Sequence, residues 1–121
     1  MGFDLFIYLK LMMCPETGMP FYFGPNGNKV YASPQVVVPA HLKNYLQGRG
    51  RHYFAYLRFL DYSETTEVAL EEFLENYPEW QELVKDEDYD DYWTEEDHNK
   101  FAELLKYLHS LNYPFSLSWS Y

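Results

Sequence analysis

Asp86, Glu87, Asp88, Asp90 and Asp91 put five carboxylates into six residues. Such a crowd of hard oxygens could hold a divalent cation, or present a row of charge that imitates a nucleic-acid backbone to a basic protein. It also has a plainer use, since acids just ahead of a helix favour the N-terminal end of its dipole. A second constellation is aromatic. Phe6 and Tyr8 fall in one apolar run and Phe54 and Tyr56 in another, with Lys10 and Arg58 beside them. On a shared sheet face these rings could stack on bases, with the cations meeting phosphates, or bury against another protein. Other chemistry has thinner material. His41, His52, His98, His109 and Cys14 show no pair at metal-ligand spacing. There is no G-x-S-x-G, H-E-x-x-H, phosphate loop or dinucleotide fingerprint. The expectation is a non-catalytic protein with no cofactor and no metal.

The clearest element is a helix over residues 95–111. Thr94 is a good N-cap, Asp97 stands where a capping box needs its second member, and Phe101, Leu104, Leu105, Leu108 and Leu111 form one stripe at helical period. Pro78 starts a shorter helix over 79–85, and Asp61 or Ser63 can cap another over 64–77. Pro39 and Gly48 bracket a fourth over 39–47. Strands are expected where apolar residues alternate: 3–13, 20–24, 52–60 and 115–120. Both sides of 3–13 and of 52–60 are apolar or aromatic, which suits neighbours in the middle of a sheet or under a partner. Turns belong at residues 14–18 and at Asn26 and Gly27. The predicted class is α+β, a single domain with an antiparallel or mixed sheet covered on one side by helices.

With 121 residues and 47% hydrophobic side chains, the chain can bury a core despite a net charge of −10. The charge is split. Residues 1–60 carry six basic side chains against two carboxylates, a net +4, and residues 61–121 carry three against seventeen, a net −14. Such a split marks either an electrostatic interaction surface or two halves that neutralise each other within the fold. Thirteen Tyr, nine Phe and three Trp exceed what a core of this size needs, so some aromatics must reach the surface. The run 3–13 has Asp4 and Lys10 inside it and no small-residue cleavage site, so it reads as a strand and not a secretion signal. The single Cys14 excludes an intrachain disulfide and fits the cytoplasm or nucleus. No apolar stretch has the ~18 residues a membrane span needs.

Two resemblances are carried by these residues. With Asp86 as position 1 of a twelve-residue loop, Asp88, Asp90, Thr94 and Asp97 take positions 3, 5, 9 and 12, and the arrangement resembles an EF-hand. It departs from that pattern at Asp91, where the turn needs glycine, and at Asp97, where a bidentate glutamate is usual. Residues 54–59 resemble the end of the longer ribonucleoprotein consensus of the RNA-recognition motif, and residues 5–7 the start of its shorter one. That likeness implies base stacking on Phe6, Phe54 and Tyr56. Tyr53 replaces the consensus glycine, and the net charge weighs against a polyanionic partner. The expected function is therefore protein binding, a second copy of the chain included, with no membrane. The contacts expected are the aromatic face of Phe6, Tyr8, Phe54, Tyr56 and Arg58, and the acidic residues Asp86, Asp88, Asp90 and Asp91. The alternatives are a nucleic-acid mimic acting on a basic protein, and single-stranded RNA binding on the aromatic face.

Overall fold

The computed structural model describes residues 3–32, 34–50, 52–61, 66–86, 89 and 92–120. In chain order these form β1 (Asp4–Leu9), β2 (Met12–Met13), β3 (Pro20–Phe23), β4 (Lys29–Val30), a single 3-10 turn (Lys43–Tyr45) and β5 (Gln47–Arg49). Then follow α1 (His52–Phe59), β6 (Glu67–Ala69), α2 (Leu70–Glu75), α3 (Trp80–Leu83), α4 (Glu95–Ser110) and β7 (Phe115–Ser120).

The main sheet is antiparallel, in the order β5-β1-β7-β6. Alternation in β7 decides its register. Leu117 pairs with Ile7 and Trp119 with Leu5, so their side chains enter the core together while Ser118 and Ser120 take the opposite face. Helix α4 supplies the other half of that core. Thr94 and Asp97 make the reciprocal capping box, and Phe101, Leu104, Leu105 and Leu108 are fully buried. Each such burial contributes roughly 1.5–3 kcal/mol. These residues belong to one cluster with Leu5, Ile7, Val68, Phe73, Leu117 and Trp119, so one face of the sheet is covered and α+β holds. A second, three-stranded sheet, β2-β3-β4, projects from the end of β1. Its turns are those expected, with Gly18 and Gly27 at positive φ. Among the described residues no helix is long and apolar enough to cross a membrane.

Several element boundaries differ from the sequence expectation. Residues 52–60 are not a strand: His52–Phe59 is helix α1. An octet apolar on both strand faces also fits helical period, and Tyr53, Tyr56 and Leu57 at i, i+3 and i+4 are buried together with His52 and Ala55. The neighbours of β1 are instead β5 and β7. Helix 39–47 shrinks to the 3-10 turn because Leu42 alone gives it a fully buried side chain, too little to fix a longer stripe. Gly48 does not end a helix there. It lies in β5 opposite Leu5, and a Cβ on it would sit 2.1 Å from the Tyr53 hydroxyl, so the glycine exists to let that ring approach the backbone. The run 3–13 is two strands in two sheets, parted where the Lys10 amide turns to the Pro114 carbonyl. The helix expected over 64–77 yields its first part to β6, and residues 64 and 65 lie outside the described residues. The helix expected over 79–85 is the single turn Trp80–Leu83.

Candidate functional site

The expected aromatic face does not assemble. Phe6 and Tyr8 lie on the outer face of the main sheet, 6.0 Å apart between ring centroids, with Ser118 and Ser116 as their cross-strand partners. That face is tied down by polar pairs. The Tyr8 hydroxyl donates a hydrogen bond to Glu67, which also pairs with Lys10 at 2.8 Å. Desolvation and that carboxylate push the Tyr8 phenol up to about 12, and Lys10 and Tyr8 hold Glu67 below the usual carboxylate range. Asp4 and Arg49 make a second pair at 2.8 Å. Phe54 is half-buried on α1, its ring 4.3 Å from that of Phe3. Tyr56 is 0% exposed. Phe6, Phe54 and Tyr56 therefore do not form one stacking platform, because two of the three rings belong to a helix on the other side of the sheet.

Tyr56 instead organises the interior. Trp93 Nε1–H donates to its hydroxyl at 2.9 Å, and that hydroxyl lies 2.7 Å from His98 Nδ1. Tyr77 donates to the His98 carbonyl at 2.7 Å. The Pro78 backbone, which has no N–H and can only accept, favours the charged form of the His98 imidazole. Burial is the main cause holding the His98 pKa below its ordinary value, against the Pro78 bond and the charges of Glu79 and Glu95. An unfolded chain binds a proton near pH 6.5 that this folded ring refuses, so stability falls as pH drops through about 6.5 toward 5. Asp4, Glu67 and Asp97 are held low and lose their stabilising charge only further into acid. Urea midpoints at pH 7.5, 6.5 and 5.5 are expected to decline, and His98→Gln to flatten that part of the profile.

The acidic constellation is drawn into structure at both of its described ends. Arg58 Nη1 donates to Asp86 Oδ1 at 3.0 Å, so the cation expected to meet phosphate and the first expected metal ligand neutralise each other. Asp97 accepts from Thr94 in the capping box and from the Tyr45 hydroxyl at 2.6 Å. Asp88, Asp90 and Asp91 lie outside the described residues. Among the described residues no group of three or more His, Cys, Asp or Glu side chains is placed to hold a metal ion.

The surface that sequence reasoning missed is the small second sheet. Met12, Met13, Met19, Phe23 and Tyr31 all project into solvent there, Met13 at 65% exposure and Phe23 at 51%. Beneath them Cys14 and Phe21 are buried, but neither joins the main core. Lys29 sits 4.8 Å over the Phe21 ring, and Cys14 Sγ is 3.4 Å from the Tyr31 hydroxyl. Hydrogen bonds from Thr17 and then Tyr31 bring the Cys14 thiol down to about 6. Between this sheet and the main one runs a groove of about 590 Å3, lined by Met12, Phe23, Leu70, Glu71, Tyr113 and Phe115 among others. The signal was available in the sequence: three of the four methionines fall in residues 12–19. Comparison with known proteins gives no match, whether to a family model, a curated protein or a solved structure.

Proposed function

We propose that this chain is a non-catalytic protein-binding domain whose contact surface is the methionine-rich sheet β2-β3-β4. The observation that carries this reading is where apolar exposure collects. Five of the ten large hydrophobic side chains that reach solvent among the described residues lie on residues 12–31. So many large apolar side chains exposed on one small sheet and its turns are uncommon on a protein that works alone. Methionine adapts its shape to a partner at low conformational cost, which suits a contact surface. A sheet with strands of two to four residues and two buried side chains is also marginal by itself, and a bound partner would complete its packing.

The outer face of the main sheet serves this role less well, because Lys10, Glu67, Asp4 and Arg49 already satisfy one another across it. The test is a paired pull-down with the parent chain and a Met13→Lys/Phe23→Lys variant of matched thermal stability. A protein retained by the parent and lost by the variant is the expected result. The same proteins retained equally by both would sink the reading.

A further inference from the structure

The groove beside β2 and β3 does not end on a neutral wall. Its wall at Leu70 and Glu71 is the start of α2, and the far end of the same helix borders a second hollow of about 560 Å3. That hollow is lined by Phe59, Leu60, Asp61, Glu72, Glu75 and Tyr77. Phe59 is half exposed there, as an aromatic wall beside three carboxylates. Asp61, Glu71, Glu72 and Glu75 make no ion pair, although six other acidic residues do among the described residues. The cation lining the groove, Lys10, is already paired with Glu67. The surface along α2 thus presents an apolar-walled groove, a more polar hollow with one exposed aromatic ring, and four carboxylates that no cation among the described residues neutralises.

We propose that α2 and the hollows at its two ends form a docking track for a basic, apolar-anchored peptide segment of a partner protein. This rests on the protein-binding reading above and names the chemistry of the occupant. Charge complementarity carries the choice. Three unpaired carboxylates on one short helix, with Asp61 beside its far end, attract lysine and arginine, and Phe59 offers a face on which a guanidinium or ammonium can rest. The groove at Met12 and Phe23 accepts an aliphatic or aromatic anchor, the part of a contact that supplies most of the affinity. A second copy of this chain is the wrong occupant on the same grounds, since each copy brings a net charge of −10.

The experiment uses three fluorescein-labelled synthetic peptides of equal length, built from Leu and Lys, Leu and Glu, or Ser and Lys, in anisotropy titrations at physiological salt. The Leu/Lys peptide is expected to bind at least about tenfold more tightly than either of the others. Phe23→Ser, and separately Glu71→Lys/Glu75→Lys, should each weaken it by about tenfold or more. Glu95→Lys/Glu103→Lys makes the same change in net charge on α4, where neither residue lines either hollow, and should leave binding within about twofold. Equal loss in both double variants would show only attraction to the net charge and would overturn the proposal. So would failure of the Leu/Lys peptide to bind, or a dimer in light scattering that Phe23→Ser makes monomeric. Equal binding of the Leu/Glu peptide, lost with Phe23→Ser, would overturn the basic occupant alone and leave the protein-binding reading standing.

Discussion

Tyr56→Phe is expected to destabilise the fold by about 2–4 kcal/mol, although it removes one oxygen and changes no ring. The Tyr56 hydroxyl takes the Trp93 indole N–H and faces His98 Nδ1, all in the interior. Without it two buried polar groups lose that partner at once, and an orphaned buried group costs about 1–3 kcal/mol. Urea unfolding followed by tryptophan fluorescence reads the effect directly, because Trp93 is itself one of the orphaned groups. A loss below about 0.5 kcal/mol would mean that the network can be rebuilt without the hydroxyl. Tyr45→Phe is a useful partner experiment. Its hydroxyl donates to Asp97 at 2.6 Å in a half-buried position, where water can replace it, and a smaller loss follows.

The contrast between α4 and α1 explains what was legible in the sequence. Helix α4 announces itself locally: Thr94 and Asp97 stop its N-terminus, and its apolar stripe has a polar opposite face that excludes any other period. β7 is equally plain, since Ser116, Ser118 and Ser120 mark the phase of the alternation. In residues 52–59 nothing marks the phase. His52, Tyr53, Phe54, Ala55, Tyr56, Leu57 and Phe59 are apolar or aromatic at every spacing, so helix and strand fit the residues equally well. What decides is tertiary. β1 already has β5 and β7 on its two edges, which leaves no place for a further strand beside it.

The candidate site was hidden for a related reason. Local reading groups residues by spacing, and it grouped Phe6 with Tyr56 and left Arg58 free to meet phosphate. The fold instead joins Arg58 to Asp86, twenty-eight residues away, and Tyr8 to Glu67, fifty-nine away. Such pairings follow from topology and not from periodicity. The unpaired carboxylates of α2 stand out only after the paired ones have been identified. The methionines of β2 drew no notice because Met12 and Met13 read as a continuation of β1, whereas the break at Lys10 sends them into a sheet with almost no core of its own.

Phe101→Ala and Phe59→Ala together test this architecture with the same chemical change at two sites. Phe101 is 0% exposed, and its ring centroid lies within about 6 Å of those of Tyr53, Tyr56, Phe73, Tyr77 and Trp93. Truncation there removes the centre of the aromatic cluster, which rigid neighbours cannot collapse to fill, and is expected to cost about 3–5 kcal/mol. Phe59 is 50% exposed at the last turn of α1, and its loss should stay within about 0.5 kcal/mol. The strand reading of residues 52–60 predicts otherwise, since it puts Phe59 on one face with Tyr53, Ala55 and Leu57, three residues that are buried. A Phe59→Ala cost comparable to that of Phe101→Ala would therefore count against helix α1. It would also take away the exposed aromatic wall on which the proposed docking of a basic segment at the end of α2 depends. A near-neutral Phe59→Ala leaves that ring free to act in binding, because a side chain that contributes little to folding can be exposed without cost until a partner covers it.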